Sequence, residues 1–175
     1  MNERNNINSL NNEEILKEIE SKITELKKES VNDKKVKFII FYIDDKLYAM
    51  PGNVVQEIII DYPVFYLPFV PDYIRGLLNR HGEPYTVIDL KSLFTGSELD
   101  GKTFLVLRNK IDNIAFIISG IYKIENILED NIHPLTSKNE NMDYFEGSIT
   151  IDEEEVFIVN IKNIIDRIAN DIENS

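Results

Sequence analysis

Residues 75–94 read RGLLNRHGEPYTVIDLKSLF, and this stretch carries the most specific pattern in the chain. Gly76 and Gly82 bracket a polar Asn-Arg-His trio at 79–81, and an apolar, β-branched run follows the second glycine. Glycine accepts backbone angles that other residues resist, so both positions indicate a local bend of the chain. A polar trio inside such a segment is the first candidate for a contact outside the fold.

The same stretch predicts a β-hairpin followed by one helical turn. Strands at 76–81 and 84–90 are joined at Gly82-Glu83, where glycine supplies the turn geometry. Residues 91–94 form the helical turn. Asp89 lies between apolar residues, which favours a buried, hydrogen-bonded structural carboxylate; a catalytic base is the alternative.

Composition excludes several classes of protein. The 175 residues are 43% hydrophobic, which suits one domain or two small subdomains around a shared core. The net charge of −12 disfavours nucleic acid and anionic membrane surfaces, because both require a dense Lys/Arg face. The absence of cysteine, of a secretory signal and of a membrane-spanning apolar run predicts a cytoplasmic protein without direct membrane insertion.

The sequence contains no pattern for catalysis, metal binding or a cofactor. His81 and His133 lie far apart and no cysteine accompanies them, so a transition-metal site lacks ligands. The acidic run at 152–155 lacks the ligand spacing of a calcium loop and reads as a hairpin tip. No glycine-rich loop leads into a helix through Lys-Ser/Thr. We therefore predict a protein that is not an enzyme and needs no cofactor.

Residues 1–35 predict a flexible N-terminal extension with one amphipathic helix at 13–29. The helix repeats apolar residues at helical spacing: Ile15, Ile19, Ile23 and Leu26. Two interpretations remain open for this stripe. The helix packs on the protein's own β domain or frays, or it forms a short coiled coil or a partner-docking helix.

Residues 36–175 predict a mainly β domain that ends in a helix. Many short apolar strands separated by regular turns indicate barrels or a sandwich. The isoleucine stripe of residues 161–173 indicates a helix that covers the open end of a barrel. Residues 61–73 carry three prolines and five aromatic residues, so we expect an irregular crossing or an edge. Its aromatic side chains either pack in the core or form an exposed contact patch.

Residues 36–168 resemble the CheW-like domain of bacterial chemotaxis coupling proteins. FYIDDKLYAMP, 41–51, is similar to the family's opening hairpin, and VVQEI supplies its Val-x-Glu-Ile through Val55, Glu57 and Ile58. The later segments LPFVPDYIRGLLN and GEPYTVIDLKSLF match the rest of the motif at Pro68, Pro71, Gly76, Asn79, Gly82, Pro84, Val87, Asp89 and Leu90. Order and spacing agree together over this region.

The resemblance implies a fold and a role. The expected fold is mainly β, with two small five-stranded Src-homology-3-like barrels around a shared core, a C-terminal helix and an N-terminal helical extension. The expected role is a non-catalytic adaptor that couples the cytoplasmic tips of chemoreceptors to the regulatory domain of the histidine kinase CheA in signalling arrays. Other CheW-like domains are a further expected partner. The alternative is a divergent interaction module for a specialised array or for a pathway outside chemotaxis.

One departure from the family lies in the polar trio. The family usually reads Asn-Leu-Arg-Gly where this chain has Asn-Arg-His-Gly at 79–82. Because side chains alternate along a strand, we expect His81 at the family's Arg position and Arg80 at its Leu position. The resemblance implies partner contacts by Val55, Glu57, Ile58, Asn79, Arg80 and His81, and structural roles for Gly76, Gly82 and Asp89.

Overall fold

Two β-sheets dominate the computed structural model, which describes residues 15–24, 34–108, 113–135 and 143–173. Within these ranges the α-helices are α1 (15–24), α2 (Leu90–Thr95) and α3 (Ile161–Glu173). The strands of the described residues are β1 (Lys35–Ile43), β2 (Lys46–Pro51), β3 (Val55–Ile60), β4 (Ile74–Arg80), β5 (Glu83–Asp89), β6 (Thr103–Leu107), β7 (Ile114–Ile118), β8 (Gly120–Leu128), β9 (His133–Pro134), β10 (Phe145–Ile151) and β11 (Glu154–Val159).

The chain enters one sheet, leaves it for the other and then returns. The first sheet has the strand order β8-β1-β2-β11-β10-β9, and the second has the order β3-β6-β7-β5-β4. Parallel pairing of β11 with β2, through Phe157 opposite Tyr48, joins the two ends of the domain. The prediction of a mainly β fold with two small barrels is confirmed. The first sheet carries β9 as an additional, two-residue strand.

Strand β1 separates two hydrophobic cores, which explains why it is apolar on both faces. Ile39 and Phe41 face a large core that also contains residues of the second sheet and of α3. Phe38 and Ile40 face a smaller core inside the first sheet. Since side chains alternate along a strand, only a continuous apolar run satisfies both cores.

Helix α3 packs its isoleucine stripe on the shared core. Ile164 and Ile168 are buried, whereas Ile172 near the helix end is exposed. The side chain of Asn160 accepts a hydrogen bond from the backbone N–H of Asn163 at 3.0 Å and so caps the helix start. The helix covers the core as the sequence pattern predicts.

Asp89 is a buried junction between β5, α2 and the loop before β6. Its Oδ1 accepts from the Ser92 N–H at 3.0 Å, which caps α2. Its Oδ2 accepts from the Leu99 N–H at 2.8 Å and from the Arg75 guanidinium at 3.0 Å. Both carboxylate oxygens accept hydrogen bonds from groups of this chain, which is the arrangement expected of a structural carboxylate.

Gly76 lies where the backbone of the 61–73 segment approaches β4. Phe65 and Leu77 exchange two backbone hydrogen bonds of 2.7 and 2.8 Å. The Gly76 φ of 135° is rarely adopted by other residues, and a Cβ there would overlap the Phe65 carbonyl oxygen. The pairing of β4 with β5 shifts register between Ile74 and Gly76, so Gly76 lies next to a bulge.

We expect Asp89→Asn to lower the free energy of unfolding by about 2–4 kcal/mol, because the new NH₂ group would face donors that now bind a carboxylate. Urea denaturation provides the measurement. Asp45→Asn is the matched control, since it makes the same change at an exposed turn. Equal stabilities of the two variants would contradict the structural role of Asp89.

We expect Gly76→Ala to destabilise the domain by about 1–3 kcal/mol, because the backbone of Phe65 must move away from the new methyl group. Gly120→Ala is the control, since a Cβ at Gly120 meets no atom within 4 Å. Thermal unfolding of both variants measures the difference. A Gly76→Ala variant as stable as Gly120→Ala would show that the close approach is not required.

Candidate functional site

The turn between β4 and β5 consists of His81 and Gly82. Both have positive φ, 53° and 84°, and Arg80 pairs with Glu83 across the turn. Two positive φ values are typical of a type I′ turn, whose twist matches that of the flanking strands. The prediction of a Gly82-Glu83 turn with His81 on the strand is therefore wrong by one residue. The alternation of side chains along β4 ends at Arg80, because His81 belongs to the turn.

Arg80 and His81 converge on the carboxylate of Glu57. The Arg80 Nε donates to both carboxylate oxygens of Glu57, with a distance of 3.0 Å to Oε2. The His81 Nε2 lies 3.7 Å from the same Oε2. Arg80, which we expect at the family's Leu position, thus forms an ion pair with Glu57 in this chain.

The ion pair joins the two edges of the five-stranded sheet. Glu57 lies on β3 and Arg80 on β4, which are the first and last strands of that sheet. The hydrogen bond from Arg80 lowers the pKa of Glu57 below its usual range, and the same bond raises the pKa of Arg80. Both groups therefore carry full charge at neutral pH.

Tyr62 and Asn79 hold the turn in place. The Tyr62 hydroxyl donates to the Asn79 carbonyl at 2.7 Å, and the Arg80 guanidinium lies 5.7 Å from the centre of the Tyr62 ring. The Asn79 side chain accepts from the Gly82 N–H at 3.1 Å. Since these contacts all lie within the chain, the turn is ordered before any partner arrives.

The structure brings together some of the predicted contact residues but not all of them. Glu57, Arg80 and His81 form one cluster, with Asn79 beside them. Val55 is only 7% exposed and packs in the shared core, so little of its side chain is available for the predicted partner contact. Ile58 is half-buried against the same core. A register shift between Val55 and Glu57 turns the carboxylate toward β4.

The 61–73 segment presents an aromatic patch, defined by Phe65, Tyr66 and Phe69. These side chains are 62%, 78% and 100% exposed, so the interpretation as core residues is wrong for all three. The core interpretation is correct for Tyr73, which is buried and whose hydroxyl donates a hydrogen bond to Asp171 at 2.8 Å. The backbone of Phe69 has a φ of 60°, which is uncommon for a bulky residue. An exposed patch was the alternative that the sequence left open.

The described ranges contain no cluster of three His, Cys, Asp or Glu side chains arranged to hold a metal ion. Within the acidic run, Asp152 accepts from the Tyr122 hydroxyl at 2.6 Å and pairs with Lys123 at 3.0 Å. None of the helices in this part of the chain is both long enough and apolar enough to cross a membrane. The candidate site combines the Glu57–Arg80 ion pair, the turn of His81 and Gly82, and the aromatic patch.

We expect Arg80→Gln to raise the pKa of Glu57 toward the usual range of glutamates, because the charge-assisted hydrogen bond is lost. In the wild-type protein the lowered pKa of Glu57 stabilises the fold at pH values above the usual pKa of a glutamate. This stabilisation is lost as the pH falls through the pKa of Glu57 in the folded protein. NMR titration of the side-chain carboxyls measures the change. Asp152 is an internal control, since its pKa is lowered by Tyr122 and Lys123. An unchanged Glu57 pKa would contradict the ion pair.

Comparison with known proteins relates this geometry to a family. The family model described as CheW-like domain matches residues 37–169. The chain is 29% identical over 126 residues to the chemotaxis protein CheW of Helicobacter pylori, covering 69% of this chain and 76% of that protein. Its fold is similar to the crystal structure of the scaffolding protein TtCheW from Thermoanaerobacter tengcongensis, with a TM-score of 0.67, 23% identity and coverage of 73% of this chain and 90% of that one. The chain belongs to the CheW-like domain family, a family of chemotaxis coupling and scaffold proteins.

Proposed function

We propose that this chain is a non-catalytic adaptor that couples chemoreceptor cytoplasmic tips to the regulatory domain of the histidine kinase CheA. It acts in the cytoplasm, at arrays beside the receptor membrane. The observation that carries the proposal is an ordered, exposed turn next to an exposed aromatic patch in a chain of this family. Such a surface binds a partner without making or breaking a covalent bond.

The docking face combines an apolar part with a polar rim. The aromatic patch supplies large side chains that gain free energy when a partner removes them from water. Arg80, His81 and Asn79 supply the rim, and Tyr62, which belongs to the same 61–73 segment as the aromatic patch, contacts Asn79 and Arg80. Protein interfaces commonly have this arrangement of apolar anchors and polar surroundings.

His81 is the residue we expect to set partner preference. Its side chain is 68% exposed at the tip of the hairpin, whereas Glu57 is engaged by Arg80 and is only 21% exposed. The family pattern that the chain resembles usually has an arginine here, which is always charged and forks onto carboxylates. A histidine is usually neutral near pH 7 and makes one or two hydrogen bonds. The site therefore offers a partner fewer hydrogen-bond donors than an arginine would.

Residues 36–175 form the binding domain in this proposal, and residues 1–35 form an N-terminal extension, most of which lies outside the described residues. The family match at 37–169 supports this division. Other CheW-like domains are a further class of partner, since arrays require contacts between several modules. The domain itself performs no chemistry on its partners.

A second candidate is a divergent CheW-like module that serves a specialised array or a pathway outside chemotaxis. The Arg80–Glu57 ion pair favours it, because an arginine that pairs with Glu57 stands where the family pattern usually has an apolar leucine. Co-sedimentation with receptor fragments and the CheA regulatory domain separates the candidates. Binding to both partners supports the first, and binding to neither supports the second.

We expect His81→Arg to change the ratio of the Kd values for the receptor tip and the CheA regulatory domain by roughly 5- to 150-fold. This corresponds to a change of about 1–3 kcal/mol in the difference between the two binding free energies. The physical reason is one added charge-assisted hydrogen bond with one partner. Isothermal titration with the full chain measures both Kd values. Truncation to residues 36–175 tests in parallel whether the extension takes part.

Two variants complete this experiment. Asp45→Asn makes the same change in net charge at an exposed turn away from the cluster, so its Kd ratio should equal that of the wild type. Tyr66→Ser with Phe69→Asn should weaken binding while the free energy of unfolding changes little, because both side chains are exposed. An unchanged Kd ratio for His81→Arg would remove the specificity role. Unchanged binding by the patch variant would remove the docking face.

A further inference from the structure

The aromatic patch lies on the 61–73 segment, which contacts the edge of β4 through Phe65 and through Tyr62. Phe65 and Leu77 exchange backbone hydrogen bonds of 2.7 and 2.8 Å, and the Tyr62 hydroxyl donates to the Asn79 carbonyl at 2.7 Å. The two contacts are therefore two residues apart on β4. One contact alone would let the segment pivot on the strand, whereas the two together fix its direction.

Pro63 explains why a side chain makes the second of these contacts. Phe65 and Leu77 form an antiparallel bridge, and continued pairing would place Pro63 opposite Asn79. Proline has no N–H, so the backbone of the segment cannot supply a donor to the Asn79 carbonyl at this point. The hydroxyl of the preceding residue, Tyr62, supplies the donor instead.

The position of the aromatic patch depends on contacts at the two ends of its loop. Residues 66–70 make no backbone hydrogen bond within the described part of the chain. At the far end, the carbonyl of the buried Tyr73 accepts from the Asp89 N–H at 2.7 Å. At the near end, the contacts of Tyr62 and Phe65 with β4 set where the loop begins.

We propose that the Tyr62 hydroxyl is a positioning group that fixes the aromatic patch relative to the turn of His81 and Gly82. The Tyr62 ring packs against the shared core and lies 5.7 Å from the Arg80 guanidinium, and a phenylalanine ring keeps both contacts. The hydroxyl alone joins this side chain to Asn79. A partner that binds patch and turn together meets them at a fixed spacing, which lowers the entropy cost of binding. This consequence rests on the proposed function.

NMR relaxation of the free, full-length chain tests the positioning role without a partner. In Tyr62→Phe, the backbone N–H order parameters of Tyr66 and Phe69 should fall by about 0.1 or more, because the near end of the loop has lost one contact. The order parameters of Leu105 and Ile117, in the middle of the same sheet, should stay at their wild-type values. A contact that only adds stability lowers the free energy of unfolding without changing order parameters in the folded state.

Tyr122→Phe is the matched control, since it removes a hydroxyl that donates to Asp152 at 2.6 Å in the other sheet. It should leave the order parameters of Tyr66 and Phe69 unchanged. Unchanged values at these two residues in Tyr62→Phe would overturn the proposal. An equal decrease in the middle of the sheet would also overturn it, because the hydroxyl would then act on the sheet as a whole.

Titration of the full chain with the CheA regulatory domain measures the consequence for binding. Tyr62→Phe should raise the Kd by about 3- to 10-fold. In a chain that carries Tyr66→Ser with Phe69→Asn, the same substitution should change the Kd by less than about twofold, because no patch remains to be positioned. An equal effect in both backgrounds would overturn the positioning role. A wild-type chain that does not bind would contradict the proposed function, whereas the order parameters of the free chain would still decide the role of Tyr62.

Discussion

A sheet with two free edges exposes unpaired backbone N–H and C=O groups, and the barrel formed by the five-stranded sheet must cover them. The strands β3 and β4 are the edges of the five-stranded sheet. Phe65 pairs with Leu77 along the edge of β4, and the Glu57–Arg80 ion pair connects β4 to β3. The contacts that close the barrel are thus the contacts that build the candidate site.

Because the same contacts cover the sheet edges and build the candidate site, the site is both exposed and ordered. The backbone of Phe65 is used to cover the edge of β4, so its side chain remains outside. The type I′ turn fixes His81 at the tip, with Asn79 and Tyr62 holding it. If the turn binds a partner as proposed, its internal hydrogen bonds reduce the entropy cost of binding.

Local patterns predicted the elements well, and the failures occurred at turns and edges. The hairpin at 75–94 was predicted with its turn displaced by one residue, because a glycine pattern cannot distinguish Gly82 as first or second turn residue. The exposed state of Phe65, Tyr66 and Phe69 could not be predicted, since an aromatic run reads equally as core or as surface. The ion pair was hidden because Glu57 and Arg80 lie on different strands.

The sequence by itself determined the mainly β fold, the two-faced apolar strand β1, the capping of α3 and the family, because periodicity, capping and motif spacing are local properties. The tertiary structure alone decided which polar groups meet. Barrel closure brings Glu57 to Arg80, and the chain folds Asp89 onto donors from Arg75 and Leu99. Contacts between residues far apart in the sequence depend on how the sheets close, and no local sequence pattern predicts which of these residues meet.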